Sequence, residues 1–455
     1  MQLPGEFLDS LIGVKGFEKE AFEKVHATGE QVTSIRINSS KPVTKLANQS
    51  INQLTKIPWS EFGYYLKQRP SFTFDPLFHA GCYYVQEASS MFLEQALKQT
   101  VDLSRPLKVL DLCAAPGGKS THIQSLISGE SLLVSNEVIR SRANILKSNI
   151  IKWGCNNVVI TNNDPGDFLQ LENYFDVIVV DAPCSGSGLF RRDEDAMKEW
   201  SPDNVALCSQ RQQRILADVW PALKKNGVLI YSTCSYSKEE DEEILDWMVG
   251  ELSIVNCQLS IDPLWGITET QSDCGAYGYR CWPDKVKGEG FFLACFKKTG
   301  GEESSVFKTK NKKEVVNKKE MKVLESWVKN AGQQFIKHET TVYAWPGHLV
   351  TAYNFLLNHL RVIYSGTIIG ELMRDKLVPD HALAMSELVK EGINGTELDF
   401  EQAIDYLKKK ELKTDTKKMG WQLITYKGQN LGWANVLPNR INNYYPKELR
   451  ILKDN

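Results

Sequence analysis

The sequence predicts an α/β protein built on a mostly parallel, doubly wound sheet, and three observations predict it. Between roughly residues 76 and 300, the strand-like runs LKVLDLC, SLLVSNEV, NVVITNND, FDVIVVDAP and GVLIYSTC alternate with helical stretches. The segment VLDLCAAPGGKSTHI, Val109 to Ile123, reads as an apolar strand turning tightly into a helix, which puts a ligand at the helix N-terminus. Finally, YRCWPDKVKGEGFFLACFKK reads as a hairpin that appends an antiparallel edge to the sheet.

The remaining elements follow in chain order. Residues 1–75 form a mixed segment in which EKEAFEKVHATG is helical and SIRINSSKP is a short strand entering a turn. Within the alternating region, SRANILKSNIIKW and NVALCSQRQQRILADVWPALKK are the clearest helices. Composition then shifts: residues 301–322 are polar and Lys-rich, a linker or exposed arm whose lysines at 308, 310, 312, 313, 318 and 319 could touch phosphates. Residues 323–385 form an intermediate region. Residues 386–455 end in GWQLITYKGQNLGWANVLPNRINNYYPKELR, a small β unit with a Gly-containing turn.

Bulk properties narrow the class. At 455 residues the chain is expected to hold about three domains. No apolar run approaches the roughly 20 residues of a membrane span, and MQLPGEFLDSL lacks a signal-peptide pattern, so the expected location is the cytoplasm. Ten scattered cysteines read as free thiols, and no close Cys/His spacing suggests a metal site. A net charge of −2 does not advertise nucleic-acid binding, which would have to rest on local basic surfaces.

The glycine turn is neither a P-loop nor a dinucleotide fingerprint. A P-loop ending in Gly118-Lys119-Ser120 needs a glycine where Cys113 stands, and a dinucleotide site needs G-x-G-x-x-G where only Gly117 and Gly118 occur. What remains is a strand ending at Asp111 and a wrap of small residues, Ala114, Ala115, Gly117 and Gly118, around something bulky. Glu137 follows strand two, where a carboxylate can accept both ribose hydroxyls. Asp164 follows strand three and could reach an adenine amine. An acid after each of three strands describes a nucleoside site with no pyrophosphate requirement, which fits S-adenosyl-L-methionine.

Two thiols share that edge. Strand four ends VVDAPCSGSG and strand five ends IYSTCSYS, so Asp181, Cys184 and Cys234 project from the carboxyl edge of one sheet, where ligands bind in such folds. A free cysteine is ordinarily a small buried hydrophobe. Two of them in turns beside a methyl donor point instead to methylation at carbon 5 of a pyrimidine, in which a thiolate adds to carbon 6 and makes carbon 5 nucleophilic. Asp181 is then suited to hold the base edge and assist protonation at nitrogen 3. On the residues alone, Cys184 in its Pro-Cys setting is the favoured nucleophile.

The segments DLCAAPGGKSTHI, DAPCSGSG and YSTCSYSKEEDEEIL, with HAGCYYVQEASSMF before them, resemble in order and spacing the motifs of the Nop/Sun family of RNA cytosine-5 methyltransferases. The likeness is strong over about residues 76–300, SIRINSSKP is similar to the family's N-terminal RNA-binding extension, and the C-terminal part looks like the RsmF-like bacterial branch. It implies a Rossmann-like class I methyltransferase domain with an N-terminal α+β extension and C-terminal RNA-binding domains, including a PUA-like β module. The implied activity is S-adenosylmethionine-dependent cytosine-5 methylation, with small-subunit ribosomal RNA as the expected substrate, transfer RNA as the alternative, and a non-catalytic ribosome-assembly factor as a third reading. A monomer is expected.

The resemblance also assigns roles. It makes Cys234 the nucleophile, reversing the choice above, and gives Cys184 the breakdown of the covalent adduct. It places the methyl donor on Cys113, Ala114, Ala115, Pro116, Gly117, Gly118 and Lys119, completed by Glu137, Asp164 and Asp181. Lys119 stays open among capping the site, touching RNA and facing solvent, and Asp167 competes with Asp164 for the adenine. Among the C-terminal aromatics, Trp421, Trp433, Tyr444 and Tyr445 could stack on bases but are expected mostly to fill the small β core.

Overall fold

The computed structural model describes residues 3–453 except 44, 47–48, 51–53, 302–313, 330–331 and 413–417, so Lys308, Lys310, Lys312 and Lys313 of the Lys-rich stretch lie outside the described residues. Its centre is a sheet whose five parallel strands are β1 (Lys108–Asp111), β2 (Leu132–Asn136), β3 (Val158–Thr161), β4 (Phe175–Asp181) and β5 (Leu223–Thr233). With β6 (Thr268–Gln271), β7 (Tyr277–Cys281), β8 (Phe291–Lys298) and β9 (Val362–Ser365), the order is β6-β7-β8-β5-β4-β1-β2-β3-β9. β7 and β8 form the expected hairpin, and β8 pairs antiparallel with β5.

Helices cover both faces because each parallel strand needs a crossover. The crossovers are α1 (Gly118–Leu126), α2 (Arg140–Trp153), the 3-10 helix Pro165–Leu171 between β3 and β4, and α3 (Pro202–Val219); α4 (Glu242–Glu251) follows β5. Ser201 starts α3 by accepting from the Asn204 N–H, with Pro202 at the first helical position. The sequence pattern runs this helix on to Lys225. The structure instead passes through a 3-10 turn at Trp220–Ala222, where Pro221 has no N–H to continue the ladder, and β5 begins at Leu223.

Alternate residues of the strands feed two cores. Leu110, Val134, Val159, Ile178 and Leu229 face one side, where Tyr353, Phe355 and Leu356 of the C-terminal region join them. Val109, Leu133, Ile160, Val177 and Ile230 face the other, with Ile123 of α1 and Trp59 of the N-terminal segment. The region after residue 323 thus shares the central core, and β9 adds an edge strand antiparallel to β3.

The N-terminal segment contributes a four-stranded sheet in the order Thr55–Lys56, Gly63–Leu66, Thr33–Ile37, Tyr83–Val85. Arg36 ties it to the central domain. The side chain is buried, donates to Gln86 Oε1 (2.9 Å), Ser125 Oγ (3.0 Å) and Thr121 Oγ1 (2.6 Å), and stacks over Trp153 at 4.6 Å. At the other end, strands Gly420–Tyr426, Gln429–Leu437 and Arg440–Asn443 form an antiparallel unit with Gly395–Glu397 parallel at its edge. Trp433 and Tyr445 are buried there, whereas Tyr444 is 40% exposed.

Candidate active site

Strand register assembles the site. Asp181 of β4 pairs with Ser232 of β5, so the turns that follow carry Cys184 and Cys234 side by side. Their sulfurs lie 3.0 Å apart. Two backbone bonds fasten the turns and the hairpin together: Gly188 N–H donates to Cys234 O (2.8 Å), and Gly290 N–H donates to Gly188 O (3.1 Å). A hydrogen bond to Cys234, then burial, push the Cys184 thiol well above its ordinary range, so Cys184 keeps its proton beside its neighbour.

Opposite the thiols stands the turn between β1 and α1. Gly117 caps α1 with φ +112°, a conformation that favours glycine. The turn is held from behind: Arg142 of α2 donates to Ala115 O (3.0 Å), Asn149 to Pro116 O (2.8 Å) and the Ala114 N–H to Asn136 O (2.8 Å). Asp111 is wholly buried and accepts from Ser120 Oγ at 2.6 Å; burial raises its carboxyl to about 7. It stabilises the turn from below.

Lys119 turns inward. Its ammonium lies 2.7 Å from Asp181 Oδ2 and 5.1 Å from the centre of the Phe291 ring, while Ser232 Oγ donates to Asp181 Oδ1 at 2.8 Å. Both carboxylate oxygens are therefore engaged, which fixes the plane of the group. Of the three options open for Lys119 in the sequence, the solvent-facing one does not occur: the side chain is 13% exposed.

These groups surround one cleft of about 260 Å³, lined by Cys113 to Pro116, Gly118, Lys119, Asp181 and Cys234. Tyr84 and Gln86 close it, and a Cβ on Gly118 would come within 3.4 Å of Tyr84, so the small side of the turn leaves room that any other residue would fill. The small residues of the turn and Asp181 on this wall are the groups that would hold S-adenosylmethionine here. Cys184, Glu137 and Asp164 are not on the cleft wall. Glu137 is buried, accepts from the Ile139 N–H (2.9 Å) and keeps Oε2 3.7 Å from Arg142. Asp164 is exposed and caps the following 3-10 helix; Asp167 bonds back to the Asp164 N–H, leaving Asp164 Oδ2 facing Arg214 at 3.7 Å.

Sequence reasoning missed the acidic run after Cys234. Glu240, Asp241 and Glu242 are buried. Glu240 accepts from the Ser185 N–H (2.9 Å), Gln212 Nε2 (3.0 Å), Ser185 Oγ (2.5 Å) and Ser235 Oγ (2.6 Å). Burial raises the Glu240 carboxyl, and these four donors favour its ionised form. Asp241 accepts from Thr233 Oγ1 (2.6 Å) and pairs with Arg280 (3.0 Å), which also bonds Glu242. The usable signal was position: five acids in a row just past a cysteine turn, with an apolar helix behind.

Among the described residues, no group of three His, Cys, Asp or Glu is arranged to hold a metal, and no helix is long and apolar enough to cross a membrane.

Three family models match the chain. That for the 16S rRNA methyltransferase RsmB/F matches residues 98–297, that for the N-terminal domain of 16S rRNA methyltransferase RsmF matches residues 3–88, and that for the methyltransferase RsmF PUA domain matches residues 394–451. A protein of Aliivibrio salmonicida strain LFI1238 named ribosomal RNA small subunit methyltransferase F is 30% identical over 437 residues, covering 91% of this chain and 90% of that one. This chain belongs to the 16S rRNA methyltransferase RsmB/F family.

Other similarities span the same architecture. A ribosomal RNA small subunit methyltransferase F of Psychromonas ingrahamii is 28% identical over 483 residues, covering all of this chain and 98% of that one. A crystal structure of a methyltransferase homolog protein from Pyrococcus horikoshii is 26% identical with a TM-score of 0.52, covering 65% of this chain and 100% of that one. NSun6 from the same organism, solved with the S-adenosylmethionine analogue SFG, shares the fold at 18% identity and a TM-score of 0.52, covering 66% of this chain and 99% of that one. The RsmB/F match spans the glycine turn and both cysteine turns, and the RsmF PUA match spans the small C-terminal β unit.

Proposed function

We propose that the protein methylates carbon 5 of a cytosine in small-subunit ribosomal RNA, with S-adenosylmethionine as donor and Cys234 as nucleophile. The observation that carries this reading is Cys234 on the wall of a cleft that also holds the Lys119–Asp181 pair and the glycine turn, with the Cys184 sulfur 3.0 Å from its own. When bound, S-adenosylmethionine supplies an electrophilic methyl group. Cys234 lines the cleft, so its thiolate adds to carbon 6 of the base, and the electron pair displaced to carbon 5 makes that carbon nucleophilic. Asp181, oriented by Lys119 and Ser232, holds the base edge at nitrogen 3. In the later step Cys184, 3.0 Å from Cys234, gives its proton to the departing Cys234 sulfur and, as thiolate, takes the proton from carbon 5, so the Cys234–carbon 6 bond breaks, the electron pair of the carbon 5–hydrogen bond restores the 5,6 double bond, and both thiols are regenerated. A thiol on the wall of this cleft cannot reach a base stacked inside a duplex, so the target is single-stranded or flipped. Glu137 and Asp164 are assigned to the ribose and adenine of the donor.

The relatives' names support ribosomal RNA of the small subunit over transfer RNA. The test incubates the protein with labelled S-adenosylmethionine and assembled small subunits, naked ribosomal RNA or transfer RNA. The expected result is 5-methylcytosine in small-subunit RNA, lost in Cys234→Ala, with a covalent RNA adduct accumulating in Cys184→Ala. Methylation by Cys234→Ala would overturn the nucleophile assignment. Absence of product with all three RNAs would favour an assembly factor that uses the fold as a scaffold.

A further inference from the structure

We propose that Glu240 is a positioning residue that sets the separation of the two thiols. The proposal rests on the two-thiol reaction for its catalytic consequence, but the geometry stands by itself. Cys184 and Cys234 lie on different turns, after different strands, 50 residues apart in sequence. Within each turn the next residue is a serine, and both serines donate to one carboxylate: Ser185 through Oγ at 2.5 Å and Ser235 through Oγ at 2.6 Å. The Ser185 N–H adds a third bond at 2.9 Å, directly fixing the backbone that carries Cys184.

Glu240 is itself held in place. Gln212 of α3 donates to the same oxygen as the Ser185 N–H and also donates to Pro183 O at 3.1 Å, next to Cys184. Tyr231 of β5 donates to the Glu240 carbonyl at 2.6 Å. The Ser235 hydroxyl accepts from the Ser237 N–H at 3.0 Å, which tightens the turn that carries Cys234. Among these bonds, only the Glu240 carboxylate accepts from the residues following both cysteines. An amide at this position offers one acceptor oxygen where four donors converge, so the serine hydroxyls lose their shared acceptor and the turns are left to the Gly188 N–H bond to Cys234 O, a looser hold on the separation of the sulfurs. Side chains that orient reacting groups at this distance act on the chemical step, because a displacement near 1 Å costs about 10²-fold in rate.

The experiment compares wild type with Glu240→Gln and Ser235→Ala, using a short bifunctional alkylator that becomes fluorescent only when both of its arms have reacted. Cys184→Ala and Cys234→Ala define the signal that belongs to this pair. A one-armed alkylator measures the accessibility of each thiol. In Glu240→Gln the bridging rate is expected to fall about tenfold while one-armed labelling stays near wild type, and kcat for RNA methylation to fall about 10²-fold with KM little changed. Ser235→Ala removes a single hydroxyl and is expected to show a smaller loss of the same kind; it carries the comparison if Glu240→Gln does not fold. Wild-type bridging rates in both variants would overturn the proposal. A wild-type protein that bridges but methylates no RNA would remove the reaction and leave the bridging comparison to decide on Glu240.

Discussion

Lys119 and Asp181 form an ion pair of 2.7 Å across the cleft, joining the first residue after the glycine pair to the last residue of β4. The pair is partly open, with Asp181 34% exposed, and Ser232 holds the second carboxylate oxygen at 2.8 Å. The proposed reaction uses this carboxylate, oriented by Lys119 and Ser232, to hold the base. Lys119→Met is expected to lower kcat for methyl transfer by about 10² to 10³, as when an oriented charge is removed from a reacting centre. Asp181→Asn is expected to do the same while keeping the Ser232 contact. Steady-state assays beside a direct measurement of S-adenosylmethionine binding check this, and unchanged kcat in both variants would refute the role.

The close packing at Gly188 makes a second prediction. A Cβ there would stand 2.6 Å from Gly290 O and 2.7 Å from Cys234 O, both backbone atoms. Gly188→Ala must therefore move the β7–β8 hairpin or the Cys234 turn. The expected cost is about 1–3 kcal/mol of stability, together with loss of methylation. Denaturant unfolding and an activity assay on the same preparation measure both.

Arg280 lies at the bottom of the acidic run, 2% exposed, bonding Asp241 at 3.0 Å, Glu242, and the Tyr236 carbonyl at 3.0 Å. Replacing it with methionine strands two buried carboxylates. The expected loss is about 3–5 kcal/mol, since removing one partner of a buried ionic network leaves the other charge uncompensated. A small change in unfolding free energy would show that the acids are protonated or rearranged without it.

Stability should fall on acidification through His122. The ring is 1% exposed, and burial, reinforced by Arg36, lowers its pKa to about 4 against an ordinary value of 6.5. With the folded value depressed, the stabilisation is fully present above pH 6.5 and is lost as pH falls toward 4, because the unfolded chain takes up a proton that the fold refuses. His26 and His79, lowered to about 4 mainly by burial, act in the same direction. Unfolding free energies measured from pH 7 to 4 are expected to decline, and His122→Gln to reduce the slope by up to about 1.4 kcal/mol per pH unit. An unchanged slope in that variant would assign the acid sensitivity to other groups.

The sequence by itself determined the order of strands and helices, the glycine turn, and the edge on which Asp181, Cys184 and Cys234 emerge. It could do so because strand runs, turn glycines and residues at strand ends are local signals, and parallel crossovers leave few topologies open. The resemblance to the Nop/Sun motifs was likewise contained in short contiguous segments. The tertiary structure decided what depended on two distant segments meeting. The approach of the thiols follows from the register of β4 against β5. The direction of Lys119 followed from Asp181 arriving on another strand, and the sharing of the central core by Tyr353 and Phe355 followed from a helix some 200 residues away in sequence. For Glu240 composition and position carry opposite signals. A run of five acids reads as a solvated face, and only the serines and Gln212 brought to it by the fold supply enough donors to bury a carboxylate.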